Sequence, residues 1–490
     1  MANIIELEKK DTVYSKIIAE DGLISELKEY LSFFTENYKY DQRYKRGWWD
    51  GRKSLVDRRG NKVYAGLAKE IEQFCDDRGY AFEPPKDYAG PELSVHEAKN
   101  FIESLNLPSN IELRDYQLKA FIRCVRGNRR TVLSPTASGK SLIIYFLSQF
   151  YPGKTLIITN RINLVDQMAT DFHEYGSKQQ IHRIYGGQDH NPMEVTITTW
   201  QSIIKNPKKW FDQFETIICD EVHTAKAESL ISIMERTGNV QHKFGFTGTL
   251  NDLKIHWMTI VGLFGPVIRT EKTTVLQEQG YMSPLKIEII VLRYTTKDRK
   301  VVYSIPKNKQ RPAEKYQKEV EWLCNHEGRN NFLKNLALSL KKNSMILFER
   351  VDKHGVPLYN NIKNESDFPV YFVAGKVPGK DREKIRRIVE TNEKSTTVAS
   401  SGVFSTGVNI KRLHNIISAF STKSIIRLLQ SIGRGLRKAE DKSHCTWYDI
   451  VDDLSYKGEQ NYSLRHLQER IRIYAKEGHE YEIHYIDLKE

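Results

Sequence analysis

Residues 131–141 read TVLSPTASGKS, and the helical pattern SLIIYFLSQF runs on from Ser141. A β-branched run thus passes through a loop of small residues into Gly139-Lys140-Ser141 at a helix start. That order suits a phosphate-binding loop, in which backbone N–H groups and the helix N-terminus hold the anion. In such a loop Lys140 would contact the β- and γ-phosphates and Ser141 would ligate Mg²⁺. Ser134 stands where the full G-x-x-x-x-G-K-S pattern begins with glycine. A bare GKS is weak by itself, and an ordinary helix start with a solvated lysine is the alternative. The strand–loop–helix order favours a nucleotide site.

A second stretch, Thr216-Ile-Ile-Cys-Asp220-Glu221-Val-His223, is an apolar run ending in two carboxylates, with Asp220 80 residues after Lys140. Open parallel sheets bind ligands at strand carboxyl ends. Asp220 would support the metal there, and Glu221 would orient or deprotonate the attacking water. The competing account is a pair of acids capping the next helix, with His223 an ordinary imidazole. Together the two stretches point to hydrolysis of a nucleoside triphosphate.

The rest of the chain fits that chemistry. Its 490 residues suggest about three domains, and the balance of 75 Lys+Arg against 62 Asp+Glu gives a charge of +13. Such a balance favours a polyanionic partner without proving one. Hydrophobic residues at 39% and charged residues at 28% describe a folding chain that is neither collagen-like nor disordered. No window approaches the ~18 apolar residues of a membrane span, and the start MANIIELEKKD is unlike a secretory signal. No membrane association is therefore expected. Cys75, Cys124, Cys219, Cys324 and Cys445 are widely spaced with no CxxC, which excludes a disulfide scaffold and fits a reducing compartment.

Short β-rich runs recur at 131–135, 155–160, 195–200, 216–221 and 243–249. A second set follows at 285–294, 344–350, 370–375, 396–403, 415–420 and 446–451. Helical-length segments between them indicate βαβ units and parallel sheets. The expected class is α/β: two tandem doubly wound domains behind a small N-terminal α+β accessory domain. The boundaries read as an accessory domain over 1–85 and a linker with a short helix over 86–110. The two α/β domains then take 111–282 and 283–455, and a helical extension 456–490. The last segment, LRHLQERIRIYAKEG, reads as an amphipathic helix on the second domain with its arginines facing solvent.

A third motif, Gln430-Ser-Ile-Gly-Arg434-Gly-Leu-Arg437-Lys438, has two arginines three apart, which share one face of a helix. They would neutralise transition-state charge at the γ-phosphate. A basic solvated face is the alternative, but the second domain has no phosphate loop of its own and so needs a role.

With these residues on the page, the chain resembles a superfamily 2 helicase, with the motifs in order over roughly 111–455. LRDYQ at 113–117 resembles the segment whose glutamine reads adenine, so the resemblance implies nucleotide contacts from Arg114, Tyr116 and Gln117. SPTASGKS resembles motif I, bringing in Thr136, Ser138, Gly139, Lys140 and Ser141, and DEVH resembles motif II, bringing in His223. Thr247-Gly248-Thr249 resembles the coupling motif III. FSTGVNI at 404–410 resembles motif V, implying roles for Thr406 and Gly407, and QSIGRGLR resembles motif VI with Gln430. TNRINLVDQ at 159–167 and ITTWQS at 197–202 fall where the family contacts phosphates, implying Asn160, Arg161, Gln167, Thr199 and Gln201. Ser134 and Ser138 depart from frequent glycines, and Asn409 from a frequent aspartate. The resemblance implies two RecA-like domains, with ATP and Mg²⁺ as cofactors in the cleft between them.

The window Tyr38–Lys62 holds nine Lys/Arg, three Asp and five aromatics, Tyr38, Tyr40, Tyr44, Trp48 and Trp49. Arg46, Arg52 and Lys53 would neutralise phosphates while Trp48 or Trp49 stacks on exposed bases. A small β domain with an aromatic core is an equal alternative. The window is similar to the N-terminal domain of a phage recombination helicase. That likeness implies action on forks and Holliday-type junctions, in branch migration, unwinding and annealing. It also implies single-strand-binding or recombination proteins as partners and a cytoplasmic location, the host's if the source is viral. An RNA helicase and the motor subunit of a restriction system share the motor motifs and stay open as alternatives.

Overall fold

The computed structural model describes residues 3–57, 61–86, 89–224, 227–249, 253–306, 313–375, 377–407, 410–422 and 424–488. Two compact units account for them. One comprises 1–135 and 139–271, the other 136–138 and 272–490. Each is built on a seven-stranded sheet in which every paired neighbour is parallel. Two tandem parallel-sheet domains are what the alternation of runs predicts, and their RecA-like form is what the helicase resemblance implies.

In the first unit the strand order is 181–184, 195–199, 155–159, 216–219, 242–247, 129–133, 267–269. Thr155–Thr159, Val195–Thr199 and Thr216–Cys219 are buried along their whole length. Helices cover both faces of such a sheet, so its strands are continuous apolar or threonine-rich runs instead of alternating ones. In the second unit the order is 370–373, 396–400, 344–348, 415–418, 445–453, 285–293, 481–487.

The N-terminal segment forms a five-stranded sheet, order 56–57, 62–64, 14–18, 4–9, 81–83, with helices Asp21–Tyr30 and Ala68–Arg78. Its core is shared with the motor. Leu27, Val63, Ile71 and Phe74 pack in one cluster with Ile255, Met258 and Val261 of helix Lys254–Phe264. A polar clasp reinforces the joint. The buried Lys243 Nζ donates to the carbonyl oxygens of Thr12 and Thr237, each at 3.0 Å, and to the Thr12 hydroxyl. Arg129 donates to the same Thr12 carbonyl at 2.8 Å. Burial, with Arg129 beside it, holds the Lys243 amine well below the usual lysine range.

The segment read as a linker carries helix Val95–Ser104, closed by a capping box. The Ser94 Oγ accepts from Glu97 N at 3.1 Å, and Glu97 accepts from Ser94 N at 2.7 Å. Ala98 and Ile102 are buried against Phe121 and Ile122 in the motor core, so this stretch is part of the packing.

Sequence periodicity misses three edge strands, Ile181–Ile184, Val267–Arg269 and Tyr481–Asp487. The last is preceded by helix Tyr462–Glu477 and pairs parallel with Leu285–Arg293, so the extension ends in a strand. Its seven residues are mostly exposed, leaving no apolar run to signal them. The expectation that this helix's arginines face solvent holds for Arg465 and Arg472 and fails for Arg470. Arg470 is buried and donates to Asp449 at 2.8 Å, which also accepts from the Tyr474 hydroxyl at 2.8 Å. All five cysteines are buried free thiols. No helix among the described residues is long and apolar enough to cross a membrane.

Gly66 lies in the joint between accessory sheet and motor. A Cβ there would meet the carbonyl oxygens of Val261 and Gly262 at 2.2 and 2.6 Å and the Gly265 nitrogen at 2.8 Å. Backbone cannot rotate away as a side chain can. Gly66→Ala is expected to cost about 1–3 kcal/mol of overpacking strain, read as a lowered calorimetric transition of the full chain. Gly22→Ala, where nothing lies within 4 Å, should cause no loss.

Candidate nucleotide and nucleic-acid sites

Strand Arg129–Leu133 delivers the loop 134–139 to the carboxyl edge of the first sheet, and helix Lys140–Phe150 leaves from it. Ala137 (φ +67°) and Gly139 (φ +77°) both take left-handed backbone, which coils the loop back over the helix start. Gly139 is needed for space as well, since a Cβ would lie 2.5 Å from Gln117 Nε2. Ser134 is tolerated where glycine is usual because its side chain is turned away. Its Oγ accepts from Thr270 at 2.9 Å, and its N–H donates to Thr247 O at 2.9 Å. Thr136 is half-buried and Ser138 fully buried.

Gln117 is buried and ties two parts of this edge together. Its Oε1 accepts from Arg114 N at 3.0 Å, while its Nε2 donates to Gly139 O at 3.2 Å. The Arg114 guanidinium donates to the Tyr116 hydroxyl at 2.8 Å. Ser141 Oγ lies 2.8 Å from the Tyr175 hydroxyl.

The central strand Thr216–Cys219 ends beside this loop. Lys140 Nζ donates to Ser134 O at 3.3 Å and lies 3.8 Å from Glu221 Oε1. Glu221 has φ +53°, a left-handed conformation uncommon for a residue with a Cβ. Its N–H is held by Asp220 Oδ1 at 2.9 Å. Backbone of this kind persists where the surroundings over-determine it, and such places cluster at functional sites. Burial, then the Glu221 charge, push the Asp220 carboxyl above its usual range, and Lys140 opposes them.

His223 is buried beside Glu221 and joins motif II to the Thr247–Thr249 loop. Its Nδ1 lies 2.6 Å from Thr247 Oγ1 and 3.3 Å from Glu221 Oε2. Thr247 Oγ1 donates onward to Thr249 O at 2.6 Å, so the ring nitrogen is the donor to Thr247. Burial holds the imidazole below its usual range, and hence neutral. The contacts Glu221–His223–Thr247–Thr249 form a continuous chain from the carboxylate to the largely buried loop 247–249, in which Gly248 is the part-exposed residue.

At the same edge, Asn160 and Arg161 follow strand Thr155–Thr159, and Gln167 lies half-buried on helix Ile162–Glu174. Thr199 is buried, its hydroxyl 3.0 Å from that of Ser202, and the exposed Gln201 donates to Asn160 O at 3.4 Å. Two loops 40 residues apart in sequence are thus adjacent.

The second unit carries the remaining motifs. Helix Ile425–Gly435 bears Gln430 and Arg434, both half-buried, with the Arg434 guanidinium 6.0 Å from the Phe404 ring. The helical spacing expected for Arg434 and Arg437 is not met. The helix ends at Gly435, and Arg437 lies on the segment after it. Lys442 Nζ sets that ending by donating to the Gly435 carbonyl and, at 2.9 Å, to the Arg437 carbonyl. Ser283 Oγ donates to Arg437 O at 3.1 Å. The side chain of Thr406, and Asn409 altogether, lie outside the described residues, and of Gly407 only the helical backbone is described.

On the accessory domain the aromatic window is turned outward. Trp48 is 73% exposed and Tyr40 69%, so neither belongs to a core. Guanidinium groups cover the rings: Arg46 over Trp48 at 5.1 Å, Arg43 over Trp49 at 4.9 Å and Arg52 over Phe34 at 4.8 Å. Trp49 is half-buried and donates from Nε1 to Arg52 O at 2.7 Å. Lys53 is exposed on the two-stranded ribbon 32–34/52–54.

Residues 4–83 match the family described as DNA helicase UvsW, N-terminal. Residues 110–252 match the type III restriction enzyme res subunit, and 328–439 the helicase conserved C-terminal domain. The ATP-dependent DNA helicase uvsW of Enterobacteria phage T4 is 34% identical over 517 residues, covering 99% of this chain and 100% of the relative. This chain is a superfamily 2 helicase of the UvsW family. The crystal structure of T4 UvsW aligns over 100% of both chains, with TM-score 0.52 and 32% identity. A DNA 3'-5' translocase XPB2 of Sulfurisphaera tokodaii is 24% identical over 82% of this chain and 93% of its own.

Sequence reasoning on this helicase missed Tyr175 and Thr270, which hold Ser141 and Ser134 from 34 and 136 positions away. No local pattern marks either residue. The geometry yields a contrast between two variants. Glu221→Gln should lower ATP turnover about 10²–10⁴-fold, the range for a positioned proton acceptor, with nucleotide binding retained. Lys140→Ala should lose binding itself. Equilibrium titration with a fluorescent ATP analogue beside a phosphate-release assay separates the two.

Proposed function

We propose that this ATP-dependent DNA helicase remodels branched DNA, forks and Holliday-type junctions, holding the branch with its accessory domain while the motor steps. The exposed, arginine-covered aromatic surface around Trp48 carries this reading. Cationic groups beside exposed rings suit a ligand with both phosphates and unpaired bases, and a branch point supplies both. The match of residues 4–83 to the UvsW N-terminal family supports it.

In this reading Gln117, with Arg114 and Tyr116, takes the adenine, and Thr136, Ser138, Gly139 and Lys140 hold the phosphates. Ser141 and Asp220 would hold Mg²⁺, which neutralises phosphate charge when bound. Glu221 draws the proton from the attacking water. Arg434 and Arg437 answer the charge that develops on the γ-phosphate, with Gln430 and Gly407 beside the nucleotide. Asn160, Arg161, Gln167, Thr199, Gln201 and Thr406 meet the nucleic-acid backbone. His223 and the Thr247–Thr249 loop link the two events. The phage relative supports a host cytoplasm as the setting, and single-strand-binding or recombination proteins are the partners to seek.

The test measures fork affinity and melting on the same proteins. Trp48→Ala should lose about 1–3 kcal/mol of fork binding, with melting and basal ATPase unchanged. Replacing Lys45, Arg46, Arg52 and Lys53 together should weaken binding to every nucleic acid and flatten its salt dependence. Equal stimulation of the wild-type ATPase by matched RNA and DNA junctions, or by plain duplex and forks, would sink the reading.

A further inference from the structure

We infer that Tyr175 is a positioning residue for Ser141, aiming its hydroxyl so that a lone pair faces the metal. The inference rests on the nucleotide-site reading proposed above and adds to it a residue outside every motif named so far. Ser141 Oγ and the Tyr175 hydroxyl are 2.8 Å apart, a well-formed hydrogen bond.

A serine hydroxyl has one proton and two lone pairs. When it ligates a cation through a lone pair, its proton must point elsewhere, and the side chain has three staggered rotamers to choose from. An acceptor fixed at one place beside the serine selects one of them. Tyr175 is that acceptor. In the absence of a cation the same bond can run from the phenol to the serine oxygen, so the serine keeps its rotamer in both states.

Tyr175 is built to stay in place. It caps helix Ile162–Glu174, with its N–H donating to Asp171 O at 2.9 Å. The turn behind it is closed by Ser177 N donating to Phe172 O at 3.0 Å and by Gly176 at φ +82°. Its ring lies 5.5 Å from that of Tyr145, which packs edge-on to Phe172 at 5.2 Å. Tyr145 belongs to the same helix as Ser141. The phenol and the serine are therefore tied to one packed pair of helices.

The experiment titrates a fluorescent adenine nucleotide against the full chain, once with Mg²⁺ and once with EDTA. The gain in affinity on adding Mg²⁺ is the readout. Tyr175→Phe keeps the ring and removes only the oxygen. It should cut that gain about 3- to 10-fold, as expected for one hydrogen bond, with EDTA affinity and melting unchanged. Ser141→Ala should abolish the gain, and the double variant should lose nothing more, because the two residues act as one unit. A Tyr175→Phe protein that keeps the full gain overturns the proposal. So does one that loses affinity equally with and without Mg²⁺, which would make Tyr175 a packing residue. A full gain in Ser141→Ala would instead remove the Ser141 assignment beneath the proposal, an outcome that the single variants distinguish.

Discussion

Lys140 and Glu221 stand 3.8 Å apart at the carboxyl edge of one parallel sheet, and much of the first unit serves to keep them there. The ammonium ends a phosphate loop wound through two left-handed residues, and the carboxylate sits on a third. None of these backbone states is comfortable outside glycine. They persist because the strands beneath are largely buried and three side chains tie the loop and the carboxylate in place. Gln117 holds Gly139, Thr270 holds Ser134, and Asp220 holds the Glu221 amide. A carboxyl pushed upward by burial and by a neighbouring carboxylate is unfavourable until a cation joins it.

From that pair the consequences run outward along His223. His223 bridges Glu221 and Thr247, its Nδ1 2.6 Å from Thr247 Oγ1 and 3.3 Å from Glu221 Oε2, so the carboxylate and the Thr247–Thr249 loop share one imidazole. The loops bearing Asn160 and Gln201 meet at the same sheet edge. Nucleotide chemistry and candidate backbone contacts are therefore products of one edge.

The accessory domain is joined to this motor more firmly than a tethered module would be. A shared apolar cluster, a buried lysine clasping Thr12 and a glycine against backbone make the joint rigid. Trp48 and its neighbours stand on this fused body as exposed rings under guanidinium groups.

Sequence alone determined the class of fold and the order of the motifs. Parallel strands covered on both faces must be apolar throughout, and loops at their carboxyl ends must carry the chemistry, so runs such as TLIIT and TIICDE were legible without coordinates. The same local logic failed at exposed edges. Tyr481–Asp487 is a strand by pairing with Leu285–Arg293 and has no apolar signature. It failed also where packing overrides spacing. Arg437 leaves the helix of Arg434 because Lys442 captures the carbonyls at its end, and Arg470 turns inward because Asp449 is buried beneath it. Composition left Trp48 equally suited to a core or a surface. Only the tertiary structure turned it outward, because the core of the accessory domain is already filled by aliphatic residues with Phe33 and Phe74, packed on the motor helix. Tyr175 and Thr270 were invisible for a related reason: a hydrogen bond across 34 or 136 positions has no footprint in a local pattern.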